Sequence, residues 1–481
     1  MTRPPILLWL RQDLRLADHR PLAAALSEDQ PIIPVYILDD DTAGPWHIGG
    51  ASRWWLHDSL LALGRDLESL GSRLILRRGS AFDLLVELIE ETGADGVHAS
   101  RSYEPWARDL ERRLAERCEA EGVAFKRFAG PLLFEPERLQ TKAGDPFRVF
   151  TPFYKACLAL EPPKPPLPRP DAIPAPDGWP SSESLDDWEL QPRTPDWAGA
   201  LRATWKPGEA GAEAALRCFL DEAMAGYADQ RDRPDRRGTS RLSPYLHFGE
   251  ISPHRCWHAV EDHLAHDGGG QRGGRSFQRE LVWREFSHHL LFHWPDLPKK
   301  AFRPEFDAFP WNDDADALRA WRKGLTGFPI VDAGMRELWQ TGWMHNRVRM
   351  ITASFLIKHL LIHWRDGEAW FWDTLVDADL ANNAASWQWV AGSGADAAPY
   401  FRIFNPILQG RKFDPKGDYV RRYVPELAEL PTEHLHAPWE APASTLEAAG
   451  ITLGETYPNP IVDHAKARAR ALEAYGTIKK S

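Results

Sequence analysis

The sequence is short of cysteine, with four in 481 residues at 118, 157, 218 and 256 and no CxxC or zinc-ribbon spacing. Neither a disulfide framework nor an iron–sulfur cluster can be built from them, and a reducing cytoplasm is the expected compartment. Long apolar runs are also missing. The N-terminal MTRPPILLWLRQDLR has one short apolar run before its charges begin, so a first strand is expected there and no membrane association anywhere. The glycine fingerprint of a dinucleotide-binding turn is absent, so a nicotinamide-type site has no support. A surplus of positive charge is missing too. A net charge of -11 excludes a uniformly cationic nucleic-acid binder, and any DNA-binding face must be a local patch. One stretch qualifies, GYADQRDRPDRRGTSRLS over 226–243, where five arginines stand against three aspartates. Mixed charge runs of this kind are usually solvated surface.

Tryptophan is what the chain has in excess: 22 in all, 14 of them from Trp205 onward. Indoles at that density suit a large core and equally suit stacking on flat ligands or bases. The length calls for more than one core. Through residue 130, short apolar runs at Ile6–Leu10, Ile32–Leu38, Leu74–Leu76, Gly96–Ala99 and Val123–Phe128 alternate with amphipathic stretches at Ser52–Leu70, Ala81–Glu91 and Glu104–Ala120. That alternation predicts an α/β domain with a doubly wound parallel sheet over 1–130. The proline-dense EPPKPPLPRPDAIPAPDGWP cannot continue a helix or fill a sheet centre, which makes 131–205 an extended connector. Helical period dominates afterwards, so 206–481 reads as a mostly α-helical domain.

Five segments of that second domain crowd polar, charged and aromatic residues where a plain core would be aliphatic. Gly238-Thr239-Ser240-Arg241-Leu242-Ser243-Pro244 offers hydroxyls and backbone N–H groups ahead of a helix; it can hold phosphate or can be an ordinary cap. Phe277, Glu280, Trp283 and Arg284 share a helical stripe, which points to a bound partner or to a solvated face with one stapling indole. Trp343, Asn346, Arg347 and Met350 fall on one side of a predicted helix, with Arg349 directed elsewhere. Asp377, Asp379, Asn382, Asn383, Trp387 and Trp389 crowd a short stretch, and Pro399-Tyr400-Phe401-Arg402-Ile403-Phe404-Asn405-Pro406 flanks an arginine with aromatics. The pairs His289/His293 and His359/His363 have metal-ligand spacing but no third ligand, so no metal is expected.

WLRQDLRLADH, TSRLSPYLHFG, ELVWREF, TGFPIVDAGM, TGWMHNRVRMITASFL, DADLANN…WQW and DAAPYFRIFNP stand in the order and spacing of microbial DNA photolyases. The sequence thus resembles the photolyase/cryptochrome family along nearly its whole length, most nearly the photolyases of cyclobutane pyrimidine dimers. The resemblance implies light-driven DNA repair by electron transfer from an excited reduced FAD, on DNA containing pyrimidine dimers, by a monomer. Carried over by position, Tyr227, Thr239, Ser240, Leu242 and Ser243 hold the FAD pyrophosphate with Arg241 nearby. Phe277, Glu280, Arg284, Asn346, Arg349, Asp377, Asp379 and Asn383 line the rest, with the Asn383 amide facing flavin N5. Trp283 and Trp389 stack on a flipped dimer, Glu280 and Asn346 hydrogen-bond to it, and Met350 forms an apolar wall. Arg231, Arg347 and Arg402 grip backbone phosphates, and Trp387, Trp364 and Trp311 form an electron-hopping chain to the surface.

The family also carries an antenna chromophore. Here Tyr103-Glu104 is followed by Pro105-Trp106-Ala107, a departure from the Asn–Glu pair of some folate-binding members, and a reduced folate is preferred over a deazaflavin. The rival reading is a cryptochrome-type blue-light photoreceptor. Against it stand Asn383, where plant-type receptors have an acid, and an ending at Lys480-Ser481 without the long tail of signalling members. A flavin-dependent oxidoreductase would leave the dimer-pocket residues unexplained. Within the family, (6-4) enzymes place histidines at the positions of Asn346 and Met350; an amide and a thioether move no protons, which favours cyclobutane dimers.

Overall fold

A computed structural model describes residues 3–267, 269–397 and 401–479. By contact the chain divides into two compact units: residues 1–225, 240–295 and 376–381 form one, and 226–239, 296–375 and 382–481 the other. These limits differ from divisions at 130 and 205.

The first unit is built on a five-stranded, all-parallel sheet in the order β3-β2-β1-β4-β5. Its strands are β1 Ile6–Leu10, β2 Ile32–Leu38, β3 Ile75–Arg78, β4 Gly96–Ser100 and β5 Ala124–Phe128. β1, β2 and β4 are buried along their whole length, as strands of a doubly wound sheet must be. The edge strand β5 exposes Lys126 and Arg127, charges that discourage edge pairing with another chain. β2 tolerates Pro34, which has no N–H for a ladder, because its pairing with β3 begins only at Val35. The expected third strand starts one residue later and runs on through Arg77 and Arg78, whose charges hid it from an apolar pattern.

Helix Ala81–Thr92 starts on the Ser80 side chain, which accepts from Asp83 N, and stops at the left-handed Gly93. Helix Pro105–Glu121 has proline in its first turn and ends at the left-handed Gly122. The short helix Arg20–Ser27 was not expected, since its apolar stretch PLAAAL is too brief to show a period. Residues 161–205 are almost without regular structure, interrupted by a 3-10 turn at Leu185–Trp188 and a helix at Gly199–Thr204.

The second unit is helical. Helix Pro329–Thr341 is followed by Asn346–Ser354, which opens into one wider π turn at Phe355–His359. Helix Trp364–Thr374 follows. The C-terminal helix His464–Ile478 sends Ala471, Ala474 and Ile478 into a cluster with Phe306, Phe309, Leu361 and Phe401. Among the described residues no helix is long and apolar enough to cross a membrane.

Candidate functional site

Within the first unit, helix Gln271–His293 carries Phe277, Glu280, Trp283 and Arg284. Phe277 is buried on Phe219, ring centroids 4.6 Å apart. Trp283 is half-buried: Phe150 stacks on one face of its indole at 3.6 Å and 7°. Arg284 donates to the Pro131 carbonyl at 2.9 Å and lies 3.2 Å from Glu285. Glu285 escaped the sequence reading. Burial pushes its carboxyl up to about 7, against the pull of Arg284 and of the Leu133 and Phe134 N–H groups. Asp377 is buried, and Asp379 lies 3.6 Å from His288, whose burial drives its imidazole down to about 4.

The same unit contains a recess of about 510 Å³ whose walls include Arg11, Arg15, Glu104, Arg284, His288 and Asp379. Burial, with the charge of Asp379, raises the Glu104 carboxyl above the usual range. At 240–243 the structure departs from a capped helix. The helix Ser243–His247 has only five residues and no side-chain cap, and Ser240 Oγ instead accepts from Leu242 N at 3.4 Å. Arg241, at φ 54°, lies 4.5 Å over the Trp205 ring.

In the second unit Asn346 is exposed at the first position of its helix, and Arg347, Arg349 and Met350 are half-buried on it. Trp343 is not on that helix. His345 caps it, with Nδ1 accepting from Arg347 N at 3.2 Å, so the helix begins only after the indole and the expected four-residue face loses Trp343. His345 is a cap, not a helical neighbour, and burial holds it down at about 4, hence neutral. Arg347 is paired with Asp232 at 2.8 Å and lies over the Phe413 ring, while Arg349 Nε donates to the Met344 carbonyl at 2.7 Å. Tyr227 is buried, with Arg231 5.8 Å from its ring centre, and Thr239 is half-buried. Asn383 is buried and spends its amide Nδ2 on the Glu368 carbonyl at 3.1 Å, which leaves the amide oxygen to accept. Trp389 donates to the Asp396 carbonyl at 3.0 Å, and the exposed Arg402 sits 4.9 Å from the Phe404 ring centre. Pro399 and Tyr400 of the same segment lie outside the described residues.

Three indoles from separate segments are drawn toward one helix. Trp364 begins helix Trp364–Thr374 and Trp387 lies against its Gly367, where a Cβ would stand 2.5 Å from Trp387 Cζ3 and closer still to Cη2. Trp311 and Trp364 both contact the His363 ring, at 4.7 and 5.5 Å between centroids. Sequence reasoning passed over Gly367, which belongs to no pattern, and met His363 only as half of a histidine pair. Burial holds His363 down at about 4, and its Nδ1 accepts from Arg365 N. His359 meets His464, a residue 105 positions away, at 2.8 Å. Among the described residues no group of three or more His, Cys, Asp or Glu could hold a metal.

Family comparisons fall on both halves of this architecture. The model of the DNA photolyase family matches residues 6–171, and that of the FAD binding domain of DNA photolyase matches residues 277–477. The chain belongs to the DNA photolyase family. A deoxyribodipyrimidine photo-lyase of Agrobacterium fabrum is 54% identical over 477 residues, covering 99% of this chain and 98% of that protein. A photolyase-family relative with another name, cryptochrome-1 of Arabidopsis thaliana, is 39% identical over 97% of this chain and 70% of its own length. Among solved structures, a bacterial class III photolyase from Agrobacterium tumefaciens superposes with a TM-score of 0.97 at 53% identity, covering 100% of this chain and 99% of that one. The fold is that of the photolyases, a parallel-sheet N-terminal part and a helical FAD-binding C-terminal part.

Proposed function

We propose that this photolyase-family chain is a deoxyribodipyrimidine photolyase that binds FAD and repairs cyclobutane pyrimidine dimers in DNA under blue light. The observation that carries the reading is the end-to-end likeness, at 54% identity, to a protein named for that activity. The residues present fit a buried flavin. Asn383 is buried with its nitrogen committed to the Glu368 carbonyl, so its amide oxygen is left to accept from a flavin N–H. A reduced flavin held there would supply light-driven single-electron chemistry to the cyclobutane ring.

The chain's own work is placement. Tyr227, Thr239, Ser240, Leu242 and Ser243 hold the pyrophosphate, and Phe277, Glu280, Arg284, Asn346, Arg349, Asp377 and Asp379 enclose the remainder. Trp283, fixed by Phe150 on one face, offers the other to the flipped dimer. Arg231, Arg347 and Arg402 meet the strand's phosphates, and Trp389, tethered through its N–H to Asp396, adds a second apolar surface. Among the described residues, the histidine beside Asn346 and Met350 is not ready to give a proton at neutral pH, since His345 is neutral and its Nδ1 is taken as an acceptor. A reaction that moves only an electron suits this arrangement. For a second chromophore we propose a reduced folate on the first unit. The half-buried Glu104, with its raised carboxyl pKa, supports this because it can hydrogen-bond the polar edge of a pterin.

The test uses purified, chemically reduced full-length protein and oligonucleotides carrying one defined lesion each. Illumination should restore thymine absorbance at the cyclobutane dimer and leave the (6-4) product unchanged. Bound, reduced flavin with no repair of either lesion would move the assignment to the cryptochromes, a name carried by a relative of this chain.

A further inference from the structure

Among the described residues, the lining of one recess in the second unit carries two cations and no carboxylate. Ser354, Lys358, Trp389, Val390, Gly392, Arg402 and Phe404 line a space of about 320 Å³. Lys358 lies in the π turn Phe355–His359, and the residue is only 3% exposed. Its Nζ donates to the backbone carbonyl of Arg402 and stands 4.5 Å over the ring of Phe401. The next residues are held from the same wall: Phe404 N donates to Ser354 Oγ at 3.4 Å. Among the described residues neither Lys358 nor Arg402 has a carboxylate within ion-pair distance. A buried ammonium without a counter-ion is costly, and a fold that keeps one has a use for its charge.

We infer that Lys358 is a positioning residue for DNA: it fixes the segment carrying Arg402 from behind, and its charge makes the recess a seat for one backbone phosphodiester. The inference rests on the DNA-repair reading above. The groups around Lys358 agree with it. Arg402 is the charge that faces it. On the C-terminal helix, His464 and Arg470 reach the adjacent His359, through its ring and its carbonyl. On helix Trp364–Thr374 the neighbour of Glu368 is Arg365, and Asp366 is surrounded by Arg322, Asp313 and Arg365. No carboxylate of these elements answers Lys358. Burial, with Arg402 adding to it, brings the ammonium down to about 7. A phosphate seated beside it restores the proton, so DNA binding takes up a proton on the alkaline side of neutrality.

The experiment measures the affinity of the full-length protein for a dimer-containing duplex and for an undamaged one, from pH 6.5 to 9 at constant salt. It compares wild type with Lys358→Met, which keeps length without charge, and Lys358→Arg, which keeps charge at every pH. Wild type should lose about tenfold across that range on both duplexes, the result when a seated phosphate makes the ammonium about tenfold harder to deprotonate. Lys358→Met should be weak and flat, and Lys358→Arg flat and tighter than Lys358→Met. A wild-type pH profile that superposes on that of Lys358→Met overturns the inference. Light-driven dimer repair by the wild type, run alongside, separates this outcome from a failure of the repair reading itself. Bound flavin in each variant reports that it has folded.

Discussion

At the scale of single residues, Trp283 presents one face of its indole because Phe150 stacks on the other. The spacing of Phe277, Glu280, Trp283 and Arg284 identified one helical face. Nothing in the sequence marked Phe150, more than a hundred residues upstream, as the ring beneath Trp283. Trp283→Ala should remove roughly 1–3 kcal/mol of stacking from dimer-containing DNA and little from undamaged DNA. Competition binding with the two duplexes checks this, and equal weakening of both would assign Trp283 to the core alone. The Arg347–Asp232 pair leads to a different expectation. Asp232 competes with DNA for the guanidinium, so Asp232→Asn should tighten both duplexes, and a log–log plot of affinity against salt should steepen by up to about one phosphate contact. An unchanged slope would mean that Arg347 does not reach the strand. For Trp387, Trp364 and Trp311, replacement of any one by Phe should slow photoreduction of the oxidised flavin by an external reductant. Repair by protein already reduced should persist. Parallel loss of both activities in flash-photolysis and repair assays would make these indoles structural.

Among the elements, the parallel sheet and its covering helices could be read from alternation because buried strands are continuously apolar, and errors gathered where charge or brevity broke that rule. β3 ends in two arginines, and helix Arg20–Ser27 is only eight residues long. Helical period also carried the expected face one turn too far at Trp343. A side-chain cap at His345 is invisible to periodicity, and it starts the helix at Asn346. Helix Trp364–Thr374 shows how an element can be tuned by one absent atom. Gly367 costs its helix about 1 kcal/mol relative to alanine, yet a methyl there would overlap the ring of Trp387. The overlap outweighs the propensity. Gly367→Ala should therefore destabilise the protein by about 1–3 kcal/mol in denaturant melts and slow photoreduction by displacing the indole. A stabilised variant with unaltered photoreduction would contradict the packing described.

For the molecule as a whole, buried ionisable groups set two opposing slopes of stability with pH. His254, His288, His345 and His363 are pushed by burial from 6.5 to about 4, and His289 and His359 to about 3. Depressed in the fold, they contribute stability above 6.5 that is lost as pH falls toward 4, because the unfolded chain takes up their protons first. Glu250 and Glu368 are raised by burial from 4.5 to about 8, and Glu285 to about 7. Their contribution is complete below 4.5 and is lost as pH rises through 7 to 8. Six histidines outnumber three glutamates where the two ranges overlap, so the thermal midpoint should peak near pH 6.5 and fall on both sides. Scanning calorimetry between pH 5 and 9 tests it, and a midpoint rising steadily to pH 9 would show these groups to be better solvated than their burial implies. The contact units add a consequence in time. The first unit is assembled from residues 1–225, 240–295 and 376–381, and the last of these brings Asp377 and Asp379. At about 5–20 residues per second, a ribosome needs several seconds to pass from 295 to 376. Throughout that interval the nascent first unit waits for the piece that closes it, and chaperone binding to stalled chains of increasing length should end only after residue 381 has left the exit tunnel.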